Sequence, residues 1–271
     1  MLSNLKCLIT ACKILNLEYE FTDDNHNVIK VLKDKGMYFV NCATPFNTQS
    51  VGSICDDKDF TFQLLNSCIN MPFTADYQDP TTSTYAEYIK FGDIDLIVTD
   101  ISHKFKFPMI LKKNRGSGGD NVFLCENIND VQCNLIEIFN SNSKNYDYIA
   151  LAQEYIKPKV EYRVIVCNKK IQFVYEKNIT GATFIGNYSP LHYVNSHAIL
   201  IRDEVFVKNV QDFVNPIFNL LELNYGGLDL IVDDHNKMWL IEINSRPGFG
   251  HYLMHNPLDE VVSMYLNLLK N

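Results

Sequence analysis

The eight cysteines of this 271-residue chain form no CxxC pair and show no zinc-type spacing with histidine. That pattern excludes a redox dithiol motif and a zinc finger. Most sit beside apolar residues, as Cys125 does in VFLC and Cys167 in VIVC, and read as buried thiols of a reducing cytosol. Positive charge is also scarce. Lys and Arg number 24 against 32 Asp and Glu, a net charge of -8, which argues against binding nucleic acid through overall charge. No run approaches the roughly twenty apolar residues needed to span a bilayer. The opening MLSNLKCLITACKILN alternates polar and apolar residues and has no signal-peptide pattern. No internal repeat or low-complexity tract occurs. These absences describe a cytoplasmic globular protein without a nucleic-acid or membrane partner.

What is present is a mixed order of helix and strand signals. Leu5, Leu8, Ile9 and Cys12 recur at helical spacing. EYEFT, NVIKVL and GMYFVNCA read as short strands, and DDKDFTFQLLNSC as a helix capped by Asp56 or Asp57. NMPFTADYQDP reads as a Pro-punctuated connection. FPMILKK and NVFLCEN form a hairpin around glycines, and Val131, Leu135, Ile138 and Phe139 mark a helix. DYIALAQEYI is a strand, and KPKVEYRVIVCNKKIQFVYEKN is two strands joined at CNKK. A hairpin over GGLDLIVDDHNKMWLIEIN and a helix from Leu258 through Leu269 complete the chain. The order predicts an α+β protein.

Two segments carry chemistry. In KKNRGSGG the lysines precede the glycines, the reverse of a P-loop, and Asn121 stands where a dinucleotide fingerprint needs glycine. Gly116, Gly118 and Gly119 still allow close backbone approach, with Ser117 as a hydroxyl donor. A phosphate lid and a mobile surface hairpin both remain open. In KMWLIEIN, alternation assigns Trp239, Ile241 and Ile243 to one face and Leu240, Glu242 and Asn244 to the other. With His235 and Asn236 at the hairpin tip, Asp229 falls opposite Glu242. Such carboxylates repel unless a cation lies between them, and an oxygen-only set suits magnesium first and manganese second. A solvent-facing carboxylate paired with lysine is the alternative.

A lysine ahead of a glycine hairpin, then AQEYIKPKVEYRV, then GLDLIVDDHNKMWLIEINSRPG, in this order, resembles the ATP-grasp superfamily of carboxylate–amine ligases from about Ser53 to the carboxyl end. The likeness is greatest to glutathione synthetase-type, cyanophycin synthetase-type and ribosomal-protein glutamate ligases. It implies an ATP-grasp fold in which two α+β subdomains clamp ATP, behind a reduced amino-terminal α/β piece. The implied divisions are residues 1–56, a central subdomain 57–148 with the glycine lid, and a carboxyl-terminal subdomain 149–271. The resemblance assigns phosphate contacts to Lys58 and Lys112, and lid contacts to Gly116, Ser117, Gly118 and Gly119. Gln153 and the backbone of Glu154, Tyr155 and Ile156 fall to adenine, and Glu161 to the ribose. Asp229, Glu242 and Asn244 match the magnesium ligands, for two ions. Arg163, Arg246, Asn187 and Lys177 stand where relatives hold the γ-phosphate, the acyl phosphate or the substrate carboxylate.

The implied reaction transfers phosphate from ATP to a carboxylate, and an amine of a small molecule or peptide then displaces it. Phosphoryl transfer of this kind asks mainly for positioning and charge stabilisation. A small-molecule kinase and a non-catalytic nucleotide-binding module are the alternatives. The chain departs from D-alanine–D-alanine ligases at Gly227, where those carry arginine. Homodimers are common in the superfamily.

Overall fold

The computed structural model describes residues 1–33, 35–116 and 118–270. Helix α1 (Ser3–Ile14) is followed by β1 (Tyr19–Phe21), β2 (Val28–Val31) and β3 (Met37–Val40), then by α2 (Gln49–Asp56) and α3 (Lys58–Leu65). The middle of the chain holds β4 (Thr74–Gln78), α4 (Ile94–Lys104), β5 (Met109–Lys113), β6 (Val122–Cys125), α5 (Ile128–Ile138) and β7 (Ile149–Glu154). The remainder holds β8 (Val160–Cys167), β9 (Lys170–Asn178), β10 (His197–Leu200), α6 (Glu204–Val214) and α7 (Ile217–Leu220). Strands β11 (Tyr225–Val232) and β12 (Met238–Asn244) and helices α8 (Gly250–Leu253) and α9 (Asp259–Lys270) end it. The fold is α+β.

Among the described residues the strands form three sheets, ordered β1-β2-β3, β4-β7-β5-β6 and β10-β9-β8-β11-β12, and every recorded pairing is antiparallel. Alternation along β8 sends Val164 and Val166 into a core with α2, α6 and α7, and Ile165 into a second core with α1, α8 and α9. The five-stranded sheet is thereby covered on both faces. The four-stranded sheet has its own core, where Ile97 and Ile101 of α4 and Val131 and Leu135 of α5 pack on Met109, Leu111, Ala150 and Ala152.

Three sequence readings change. NMPFTADYQDP is not a bare connection, because Thr74–Gln78 pairs along its length with β7, from Thr74 opposite Gln153 to Gln78 opposite Ile149. The division at 148/149 separates a strand from its own sheet, since β7 lies between β4 and β5. The third concerns β12. A bulge between Asp229 and Leu230 pairs Asp229 with Glu242 and Leu230 with Leu240, leaving Ile241 over. Leu240 and Ile243 consequently both reach the core, while Ile241 joins Glu242 and Asn244 on the cavity side. Asp57 caps α3 by accepting from the Phe60 amide.

Candidate functional site

A cavity of about 640 Å³ opens between the four-stranded and five-stranded sheets, well within the range of small-ligand pockets. Its walls come from β5, β7, the 155–158 connection, β8, β9, the 179–193 segment and β11–β12.

The sheet register builds one wall. Glu242, Asp229, Arg163 and Tyr175 are successive ladder partners across β12, β11, β8 and β9, so they form a row. Arg163 grips Asp229 with both arms of its fork, Nη2 donating to Oδ2 at 2.8 Å and Nε to Oδ1. Lys177 Nζ lies 2.9 Å from the same Asp229 Oδ1 and 3.9 Å from Glu161 Oε2. Burial alone raises the Asp229 carboxyl, but Arg163 and Lys177 outweigh it and hold the group well below the usual carboxylate range. Glu161 has no such grip. Burial pushes it up to about 7, Lys177 offsets part of this, and the charges of Asp229 and Glu242 add to it.

Gly227 shares the Asp229 face. A Cβ there would stand 3.0 Å from Pro247 Cβ and 3.1 Å from Arg163 Cδ. The space that a side chain at 227 would take is thus filled by the stem of Arg163, reaching across from β8.

The opposite wall centres on Lys112. It is buried, and its Nζ donates to Gln153 Oε1 at 2.9 Å, while Gln153 Nε2 donates to Thr74 Oγ1 at 2.9 Å. Burial above all, and then the neighbouring Lys58 charge, with Glu242 opposing them, bring the Lys112 ammonium down to about 8. Lys58 Nζ donates to the carbonyls of Asn114 at 3.1 Å and Gly116 at 2.8 Å, holding the near side of the glycine loop. Asn114, buried, also accepts from the Asp59 amide at 3.0 Å. Asn187 Nδ2 donates to the Gly118 carbonyl at 2.7 Å, so the far side of the loop rests on the 179–193 segment.

The sequence-predicted residues therefore converge. Lys58, Lys112, Gly116, Gly118, Gly119, Gln153, Glu154, Tyr155, Ile156, Glu161, Arg163, Lys177, Asp229, Glu242, Asn244 and Arg246 all line this one cavity. Ser117 lies outside the described residues. Asn187 meets the glycine loop rather than the row of charges. Arg246 is exposed and pairs with Asp56 at 2.5 Å. Sequence reasoning missed Thr74 and Asn114, which position Gln153 and Lys58, and His251, which follows the GFG turn. A polar residue inside an apolar strand or turn was the only available signal for them.

Glu242 and Asn244 are half-buried, and Asn244 Nδ2 donates to Glu242 Oε1 at 3.0 Å. Among the described residues no group of three His, Cys, Asp or Glu side chains could hold a metal. The oxygen set here is two carboxylates and an amide. Its chemistry fits a hard ion that keeps waters and takes further oxygens from a phosphate ligand.

Residues 90–263 match the family model described as the RimK-like ATP-grasp domain. A D-alanine–D-alanine ligase of Buchnera aphidicola is 26% identical over 153 residues, covering 55% of this chain and 47% of that protein. The chain spans about half the length of the curated relatives it matches. The D-alanine–D-alanine ligase structure from Bacillus anthracis superposes with a TM-score of 0.57 at 18% identity, covering 83% of this chain and 71% of that one. The ATP-grasp ligase PsnB complexed with a minimal precursor gives 0.54 at 16% identity, covering 83% and 63%.

Proposed function

Since the chain belongs to the RimK-like ATP-grasp family, we propose that it is an ATP-dependent carboxylate–amine ligase working through an acyl phosphate. The observation that carries this reading is the facing of two charge sets across one cavity, Lys112 and Lys58 on one wall and the Glu242–Asp229–Arg163 row on the other.

In this reading Gln153 and the Glu154–Ile156 backbone receive adenine, Glu161 the ribose hydroxyls, and Lys112 and Lys58 the phosphates. The glycine loop covers the triphosphate and excludes water. Asp229, Glu242 and Asn244 would hold magnesium, which would supply charge neutralisation at the phosphates. Arg163 and Lys177 face the place where charge builds on the transferred group, and the planar fork of Arg163 suits paired oxygens. Arg246, at the outer edge, orients the substrate carboxylate. The acceptor is an amine on a small molecule or peptide, and D-alanine specificity is disfavoured by Gly227.

The test is a coupled ADP and phosphate assay over the amino acids and a set of amines, with product masses. A ligase releases phosphate only when carboxylate and amine are both present. ADP formation with a phosphorylated product and no free phosphate assigns a kinase instead. Background hydrolysis across the whole panel overturns the reading.

A further inference from the structure

The segment that follows β12 is fixed from the opposite end of the chain. Asn4 of α1, buried, donates to the Pro247 carbonyl at 2.9 Å and accepts from the Phe249 amide at 3.1 Å. Phe249 and Tyr252 are fully buried, which pins α8 on its inner side. His251, on the same short helix, faces outward into the cavity beside Arg163 and Arg246. A second imidazole arrives from the β9–β10 connection: His192 lines the same cavity, its ring centroid 4.8 Å from that of His251. Among the described residues neither imidazole has a recorded side-chain hydrogen bond.

The charges that act most on His251 are cationic or imidazole groups: His192, His255 just beyond α8, and Arg163 of β8. His197 of β10 lies tilted beside His255, ring centroids 4.6 Å apart, and His255 Nδ1 accepts from the Ala198 amide at 3.5 Å. Partial desolvation first, then these neighbours, lower the His251 pKa from its ordinary value, which favours the neutral ring. The carboxylates of the site are committed elsewhere: Asp229 to Arg163 and Lys177, Glu242 to Asn244, and Glu161 to the far side of Lys177.

Resting on the ligase reading above, we propose that His251, backed by His192, is the general base that deprotonates the amine substrate. An amine arrives as an ammonium and has no lone pair to attack with. One N–H bond breaks, its proton forms an N–H bond on His251, and the freed pair forms the C–N bond at the acyl carbon. The carbonyl pair, pushed onto oxygen by that attack, collapses back, the C–O bond to phosphate breaks, and phosphate leaves with the bonding pair and takes the second N–H proton, leaving a neutral amide. The neighbouring Arg163 charge destabilises the imidazolium, and His251 is exposed, so the proton passes to water.

The experiment compares two nucleophiles, glycinamide, largely an ammonium at pH 7, and hydroxylamine, neutral there, on the carboxylate selected by the panel. In His251→Gln the ratio of glycinamide to hydroxylamine turnover falls about 100-fold at pH 7, the usual scale of general-base loss, and recovers as pH rises to 9. His192→Gln shifts the acid limb of glycinamide ligation without the same collapse. Equal losses with both nucleophiles, or no loss, overturn the assignment of His251. Failure of the wild-type protein to form any hydroxamate overturns the ligase reading instead, and the two failures are thereby distinct.

Discussion

Arg163 on β8 and Asp229 on β11 are direct ladder partners, and one guanidinium satisfies both oxygens of one buried carboxylate. Breaking such a pair leaves the buried carboxylate with Lys177 as its one remaining cationic partner among the described residues, at a cost of about 3 kcal/mol. Arg163→Ala is therefore expected to lower stability by about that amount in urea unfolding. Acid adds a second readout. The depressed Asp229 pKa contributes stability that is full above the ordinary carboxylate value and is lost only as pH falls through its lower folded value. Removing Arg163 raises that folded value, so acid unfolding begins at higher pH. A variant within about 0.5 kcal/mol of wild type, with the same acid profile, shows that the pair is dispensable.

One end of the row containing this pair was legible because strand alternation is local; Arg163 entered through the resemblance alone, and its place opposite Asp229 comes from the sheet register. Asp229 opposite Glu242 followed from one hairpin and its tip. The bulge that frees Ile241 was not legible, because it depends on Leu240 and Ile243 both finding room in a core built by helices α2, α6 and α7. Strand β4 was hidden for a similar reason. TADYQ has a weak pattern of its own and becomes a strand through the edge that β7 offers. Helix α4 does carry apolar residues at helical spacing, Ile94, Ile97, Val98 and Ile101, behind an Asp93 cap, and could have been read. The part of the site that comes from ordered motifs was visible. The part that comes from packing between distant segments, as Asn4 on Pro247 does, was not.

Lys112 keeps a charge inside the protein at a cost to stability. Its pKa, about 8 against an ordinary 10.5, means the native chain binds fewer protons than the unfolded one between those values. Stability therefore rises with pH across that window. Lys112→Met, close in shape, is expected to stabilise the free protein by about 2 kcal/mol while ATP affinity falls at least tenfold. In the proposed phosphate role, bound phosphate restores the charge, so ATP binding is expected to take up protons near pH 8.5. Titration calorimetry in two buffers of different ionisation enthalpy measures that uptake. Its absence in wild type removes Lys112 from the phosphate site.

Glu161 works in the opposite direction. With its pKa raised from 4.5 to about 7, the native chain holds more protons than the unfolded one between these values, so stability declines as pH rises through them. In its proposed role as ribose acceptor it needs its charge, and ATP affinity should climb as pH rises through about 7. Glu161→Gln is expected to flatten this limb and to lose the preference for ATP over its 2′,3′-dideoxy analogue. If wild type does not distinguish the two nucleotides at pH 8, the ribose assignment is wrong.

The glycine loop, the proposed lid, meets Asn187 in a fit that tolerates no side chain. Gly119 has φ +78°, and a Cβ there would lie 2.1 Å from Asn187 Oδ1 and 3.1 Å from Ser189 Cβ. Asn187 meanwhile donates to the neighbouring Gly118 carbonyl at 2.7 Å. Gly119→Ala adds left-handed strain of about 1 kcal/mol and pushes the loop away from its rest. Its KM for ATP is expected to rise about tenfold or more, with the fold intact by thermal melting. Asn187→Ala alone loses the hydrogen bond and has a smaller effect of the same sign. Because the methyl introduced by Gly119→Ala and the amide of Asn187 compete for one space, the double variant should be milder than the sum of its parents by about 1 kcal/mol. Strict additivity in that cycle means the glycine loop closes without leaning on Asn187, and the latch is not part of nucleotide capture.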